Sequence, residues 1–284
     1  MSFSSQIKEK LCDIEFACPK CPVAESAGMF RTAIANNSDS LRLVTENEYV
    51  SKRAAYDIAE GFGIEISLQK KTHSYVIFAD NQFEQENIKS MIFGDVTPFD
   101  CCKAAYVRGA FLGGGSVSDP NKNYHLEFCV KSCDEASYLN KLLTEMGVST
   151  GITERKGSFV VYVKGCEDIA DLLGYMGAPM AALELFTVQV EKEMRNNINR
   201  RVNCESANAD KMAKAASKHL MAIAKIKKAG QWEKLSEPLR IIGDIRCEYP
   251  EESLKELGEH LDPVIGKSGV NHRLNRILDF AETL

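Results

Sequence analysis

Apolar positions recur at helical spacing from Glu48 to Phe62, where Val50, Ala54, Ala55, Ile58 and Phe62 share one face and Gly63 stops the run. A short strand, Leu41 to Glu46, precedes this helix. Two alternating segments, Ile64 to Lys70 and Ser74 to Ala79, follow it as a hairpin with Thr72 and His73 near the turn. The same order returns downstream: strand Tyr124 to Val130, helix Asp134 to Met146, a stop at Gly147, and a hairpin made of Thr150 to Arg155 and Ser158 to Val163. Gly63 and Gly147 lie 84 residues apart, and so do Ser74-Tyr75-Val76-Ile77 and Ser158-Phe159-Val160-Val161. Two features sharing one offset point to an internal repeat.

Each copy opens on a stretch of small residues. In Ala105 to Asp119, Gly109, Ala110 and Gly113 fall on adjacent turns before Gly114 and Gly115 lead into a turn; Val23 to Ala35 carries Ala27-Gly28 where the later copy has Arg108-Gly109. Small side chains at this spacing let two helix backbones approach closely. The later stretch resembles the LAGLIDADG helix of homing endonucleases. The unit of helix, strand, helix, hairpin and closing helix, present twice at about 22–95 and 101–180, predicts an α+β fold: a pseudo-symmetric two-repeat LAGLIDADG-like N-terminal domain with its motif helices side by side. The motif's two acids are missing, because Leu112 and Gly114 stand there in one copy and Arg31 and Ala33 in the other. Metal-assisted phosphodiester cleavage needs a carboxylate from each motif helix to hold Mg²⁺ and activate water. Gly114 and Ala33 offer no ligand, so no catalytic residue is expected, and residual nuclease activity stands as the rival from the enzyme class. Asp119, in the Ser118-Asp119-Pro120 turn, fits local turn hydrogen bonding.

From Ala182 onward the strands stop. Leu183 to Val202 reads as a linker helix with Leu185, Val188, Met194 and Ile198 at helical spacing, and Ala207 to Ala229 as a further helix closed by Gly230. Pro238 to Arg246 is another apolar helical run. The predicted organisation is therefore a first domain over 1–186, a linker helix over 187–206 and an all-α domain over 207–284.

Within that last domain, 251–284 has the pattern of a helix-turn-helix. Ser253-x-x-Glu256 reads as a capping box, Leu254, Leu257 and Leu261 form an apolar stripe, Gly258 leaves room for a second helix, and Asp262-Pro263 ends the first. Ser268 is then the expected cap of a second helix with Val270, Leu274, Ile277, Leu278 and Ala281 inward. Gly269, Asn271, His272, Asn275 and Arg276 fall on the outer face near its start. Asn pairs bidentately with adenine, whereas Lys267, Arg273 and Arg276 suit phosphates, and a helix N-terminus itself attracts an anion. The predicted DNA-binding residues are Lys267, Ser268, Gly269, Asn271, His272, Arg273, Asn275 and Arg276. Candidates for additional DNA contacts are Arg195, Arg200 and Arg201 on the linker helix and Arg155 and Lys156 on the second hairpin. Lys70, Lys71 and His73 on the first hairpin are also exposed, although charged hairpin tips more often serve solubility.

Charge changes this picture in one respect. The net charge of -5 argues against a nucleic-acid partner, but it is unevenly spread. Up to Phe186 there are 18 Lys and Arg against 25 Asp and Glu, and beyond it 17 against 15. Ile265 to Arg276 holds Lys267, Arg273 and Arg276 with no acid. The acidity of the first domain fits protein partners at least as well as DNA. Ten cysteines in a chain with no export signal read as reduced thiols. Cys18-x-x-Cys21 lacks a second close pair at ligand spacing, and adjacent cysteines such as Cys101-Cys102 rarely share one metal, so neither a metal nor a cofactor is expected. With no long apolar run, the predicted location is the cytoplasm, at the nucleoid, without membrane attachment.

The two halves together resemble the WhiA family of bacterial regulators, which joins a degenerate LAGLIDADG-like domain to a C-terminal helix-turn-helix. The residues carrying the resemblance are Arg108-Gly109-Ala110-Phe111-Leu112 with Gly114 to Pro120, Asn199-Arg200 with Val202-Asn203-Cys204, and Lys267 to Leu274. The region of Cys18-x-x-Cys21 departs from the family's usual pattern. The resemblance implies a non-catalytic protein that binds double-stranded DNA and regulates transcription in cell division and chromosome segregation, or in sporulation. It also implies, by analogy, a sigma-factor or cell-division partner, so an adaptor acting through proteins is the alternative. The internal symmetry suits a monomer.

Overall fold

The small residues of the two motif stretches bring two helices together at the centre of the first unit. The structure, a computed structural model, describes residues 2–33 and 41–284 and divides into two units, Met1–Glu193 and Met194–Leu284. The first unit runs α1 (Phe3–Cys12), α2 (Cys21–Ala33), β1 (Arg42–Thr45), α3 (Glu48–Phe62), β2 (Ser67–Lys70), β3 (Tyr75–Phe78) and α4 (Gln82–Ile92). It continues with α5 (Asp100–Gly114), β4 (Gly115–Val117), β5 (Leu126–Val130), α6 (Cys133–Glu145), β6 (Gly151–Arg155), β7 (Ser158–Val163) and α7 (Cys166–Met176). The fold is α+β, with two antiparallel sheets ordered β1-β3-β2 and β4-β5-β7-β6.

The repeat is visible strand by strand, because β1-β3-β2 and β5-β7-β6 have the same order and the closing helices α4 and α7 follow each hairpin. Both stop glycines adopt positive φ, +66° at Gly63 and +85° at Gly147, where a side chain would be strained. Ile34 and Ala35, the predicted end of the first motif helix, lie outside the described residues.

Helices α2 and α5 pack with a reciprocal contact. A Cβ on Gly28 would collide with the Tyr106 carbonyl oxygen, and one on Gly109 with the Glu25 carbonyl oxygen. Gly28 and Gly109 are 81 residues apart, as are Glu25 and Tyr106, so each helix presents its glycine to the equivalent carbonyl of the other. Gly109→Ala must therefore separate two buried backbones. A cost of about 3 kcal/mol, the upper part of the usual overpacking range, is expected in the denaturation of the first unit.

The second unit corrects the sequence reading of its helices. Instead of separate helices over Leu183–Val202 and Ala207–Ala229, one 50-residue helix, α8 (Pro179–Lys228), runs through both. The segment read as a gap is polar, yet it contains no Gly or Pro, and Arg201 Nε bonds Glu205 Oε1 at 3.0 Å across it. Polar residues alone do not end a helix. The linker helix expected over 187–206 is thus the interior of a longer helix, and the two compact units divide between Glu193 and Met194.

After a 3₁₀ turn at Trp232–Lys234 come α9 (Glu237–Glu248), α10 (Leu254–Glu259) and α11 (Lys267–Glu282). Their core joins Ile223 and Ile226 of α8 to Leu239, Ile242, Leu257, Val270, Leu274 and Ile277. His219 of α8 is 4% exposed, and its Nδ1 has no partner among the described residues. Burial first, then the charge of Arg246, holds its pKa below the ordinary 6.5. A histidine with a lowered folded pKa stabilises the fold above pH 6.5 and loses that contribution as the pH falls through the lowered value. The denaturant midpoint of the second unit, read from the fluorescence of Trp232, the chain's single tryptophan, should fall between pH 7 and pH 5. His219→Phe should flatten that dependence.

Candidate nucleic-acid interface

The interface is built from the turn upward. Ser253 caps α10 through a full capping box: its side chain accepts from Glu256 N at 3.3 Å, and Glu256 Oε2 accepts from Ser253 N at 2.7 Å. Arg246 of α9 holds the approach to that cap by donating to the carbonyls of Tyr249, Pro250 and Glu252. Gly258 has a further use beside the one its sequence suggests. A Cβ there would collide with the Ile265 carbonyl oxygen and crowd Val270 Cγ2 of α11 at 3.2 Å, and Ile265 N donates to Gly258 O at 3.2 Å, so the glycine makes room for the turn as well as for the second helix.

Helix α11 begins one residue before the predicted cap. Gly266 is its N-cap and makes no side-chain bond, which places Ser268 inside the first turn with its hydroxyl exposed. A glycine is tolerated there because the first amide groups can face solvent or an anion. Val270, Leu274, Ile277 and Ala281 are buried as expected. Lys267, Ser268, Asn271, His272, Asn275 and Arg276 are exposed, while Gly269 and Arg273 are half-buried. The far end of the helix is tied down by Lys225 Nζ, which donates to Ala281 O at 2.8 Å. An exposed row of donors on a helix fixed at its base is what major-groove reading requires.

The candidate additional contacts fall elsewhere. Arg195, Arg200 and Arg201 are exposed on α8, and Arg201 is already paired with Glu205. Arg155 and Lys156 are exposed at the tip of the β6–β7 hairpin, where Lys156 (φ +52°) and Gly157 (φ +74°) form the two-residue turn that twists with its strands. Lys70, Lys71 and His73 are exposed at the β2–β3 tip.

At the motif's acid positions stand Arg31, Ala33, Leu112 and Gly114, none with a carboxylate. A Cβ on Gly114 would collide with the Cys129 carbonyl oxygen, so that position cannot accept a carboxylate without moving a strand. Arg31 is engaged structurally: it pairs with Glu135 at 2.9 Å and lies over the Tyr138 ring at 4.6 Å.

Two clusters in the first unit were not legible as such. Glu25 of α2 is wholly buried and accepts from Arg53 of α3 and Arg108 of α5. Arg53 Nε also lies 2.8 Å from Asp57 Oδ1, and burial, then the Glu25 carboxylate, pushes Asp57 well above the usual carboxylate range against the pull of Arg53 and Arg108. The second cluster brings Cys18-x-x-Cys21 against Cys101-Cys102, the adjacent pair not expected to share a metal with it. Cys18, Cys21, Cys101 and Cys102 place their sulfur atoms within 4.8 Å of one another. Cys21 opens α2 and the adjacent pair lies in the first turn of α5, so the packing of these two helices brings the thiols together. Despite its burial, Cys18 is lowered to about 7 by the Lys20 amide and the neighbouring thiols, whereas burial raises Cys21 to about 11 and pushes Cys102 higher still. Small-residue spacing was the signal that could have paired Cys21 with Cys102, since both precede a motif glycine by seven residues.

Fold and interface together define a helix-turn-helix protein joined to a LAGLIDADG-like domain that has lost its acids. Family models agree with both parts: the WhiA LAGLIDADG-like domain matches residues 103–195 and the WhiA C-terminal HTH domain residues 198–281. The chain is 36% identical to the probable cell division protein WhiA of Clostridium novyi, over all of this chain and 98% of that one. It is 38% identical to that of Alkaliphilus oremlandii, with the same coverage. The crystal structure of full-length DUF199/WhiA from Thermatoga maritima superposes with a TM-score of 0.63 at 25% identity, covering 100% of this chain and 99% of that one. The chain belongs to the WhiA family. Among the described residues no helix is long and apolar enough to cross a membrane.

Proposed function

We propose that the chain is a non-catalytic, sequence-specific DNA-binding regulator of cell division and chromosome segregation, with α11 as the helix that reads the major groove. The observation carrying this reading is the exposed row Lys267, Ser268, Asn271, His272, Asn275 and Arg276 above a buried Val270-Leu274-Ile277 base. The names of its relatives support the link to cell division. Association with the nucleoid follows from DNA binding, and the internal repeat supports a monomer. Mapping bound sites across the genome, followed by affinity measurements on duplexes from the strongest sites, tests the reading. Binding that does not discriminate those duplexes from unrelated ones overturns it. Loss of the motif acids supports the absence of cleavage. Incubation of pure protein with duplex DNA and Mg²⁺ or Mn²⁺ should leave the duplex intact, and turnover above a mock preparation contradicts this.

A second reading, an adaptor working mainly through a sigma factor or division protein, is favoured by one feature. Met194, Ile198 and Val202 lie at four-residue spacing along α8 and are each more than half exposed. Stable co-purification with such a protein, together with no affinity for any genomic fragment, would favour it.

A further inference from the structure

We infer that Cys18, Cys21, Cys101 and Cys102 form a structural tetrathiolate site for one zinc ion, joining the start of α2 to the start of α5. The inference is independent of the DNA-binding reading. Four sulfur atoms from two distant segments lie within 4.8 Å of one another. Cys18 Sγ is 3.5 Å from Cys21 Sγ and 3.6 Å from Cys102 Sγ. A tetrahedral zinc with Zn–S bonds of about 2.3 Å sets its sulfur atoms about 3.8 Å apart. Those two edges come within about 0.3 Å of that figure, and all six lie within 4.8 Å.

Alternative uses of the thiols fit less well. A disulfide joins one pair at about 2.05 Å, whereas Cys18 is nearly equidistant from two partners, as ligands around a shared centre are. A multi-iron cluster would insert iron and sulfide between the thiolates and hold them further apart. Thiolate ligands in a compact tetrahedral set select zinc among the common divalent ions. Four protein ligands close the coordination shell, which marks the site as structural and not catalytic.

The electrostatics favour the same outcome. Each thiol releases its proton on binding, so four thiolates around Zn²⁺ carry a net charge of -2. Two helix N-termini meet there, since Cys21 is the first residue of α2 and Cys101 and Cys102 are the second and third of α5. Both stabilise negative charge. Lys20 lies between the first two ligands in sequence, and its Nζ sits 5.4 Å from the centre of the Phe99 ring beside the second pair. The adjacency of Cys101 and Cys102 is no obstacle here, because Cys18 and Cys21 approach them from the facing segment. From Cys101 to Gly114 the helix rises about 20 Å, so this ion is remote from the positions of the lost nuclease acids.

The test is metal analysis of the full chain, purified under reducing conditions without a metal-affinity step. About one zinc per chain is expected, released as an organomercurial titrates four thiols. Replacement by Co²⁺ should give thiolate charge-transfer bands and the visible bands of a tetrahedral site. Cys18→Ser should lower zinc affinity by at least about tenfold, the smallest loss usual for disturbing even an outer-shell group. Cys129→Ser, which changes an exposed cysteine outside the cluster, should leave it unchanged. Should Cys18→Ser fail to fold, the cobalt titration of the unaltered chain decides alone. Protein that carries no zinc and develops no cobalt bands overturns the assignment, as does iron in place of zinc, a disulfide among the four, or full zinc retention in folded Cys18→Ser.

Discussion

Replacing Arg273 and Arg276 together by alanine lowers the affinity for duplex DNA by about 50-fold at 0.1 M salt and flattens the plot of log affinity against log salt by about 1.8, if each arginine neutralises one phosphate. The reason is counterion release: every phosphate met by a fixed cation frees condensed ions, and the gain shrinks as salt rises. Arg276 is exposed and Arg273 half-buried, beside a helix start that holds no acid. Asn271→Ala and Asn275→Ala should behave differently. Each should reduce discrimination between target and unrelated duplex by about 1–3 kcal/mol while leaving the salt slope in place, because base edges carry sequence information and phosphates do not. Fluorescence anisotropy at several salt concentrations separates the two effects. An unchanged slope and affinity in the double arginine variant would remove α11 from the interface.

Glu25→Ala destabilises the first unit by about 3–5 kcal/mol, the range for breaking one partner out of a buried ion pair. Glu25 is 0% exposed, and its side chain serves two guanidinium groups that are 5% and 7% exposed. Those groups have other fixed contacts: Arg53 donates to the carbonyls of Cys12 and Ile14, and Arg108 to that of Met176. Neither arginine can swing out to water without abandoning the loop after α1 or the end of α7. The loss therefore reaches four helices, and a calorimetric scan should show it as a drop of about 10 °C or more in the first unit's transition. Glu25→Gln keeps the shape but removes the charge, and it should recover only part of the loss. A scan unchanged by either substitution would mean that the cluster is relieved by water.

The contrast between these two sites explains what the sequence could reveal. The helix-turn-helix was readable because its information is local: a cap, a break and a buried stripe at helical period lie within thirty residues. Strands and helices of the repeats were readable for the same reason, with Glu48–Phe62 and Ser158–Val163 placed at their observed ends. Glu25 and Arg108 are 83 residues apart, and each alone reads as an ordinary surface charge. Their pairing depends on how far α2 slides along α5, which the glycine contacts fix and composition does not. The four thiols are hidden for the same reason, since spacing along the chain shows one pair while the second arrives across a helix interface. Helix α8 is the opposite case: its polar stretch reads as a boundary, although helices are ended by backbone geometry and not by polarity.

The reciprocal glycine contact has a consequence for partner choice between molecules. A symmetric seam invites exchange, since the first repeat of one copy could in principle dock on the first repeat of another. The charges oppose it. With an offset of 81, the residue of α2 equivalent to Arg108 is Ala27, so two first repeats docked on each other would bury both Glu25 carboxylates without the Arg108 guanidinium. Two second repeats would enclose two Arg108 side chains opposite Tyr106, without the Glu25 carboxylate that Arg108 pairs with here. Only unlike repeats bring Glu25 and Arg108 together, as the two repeats of this chain do.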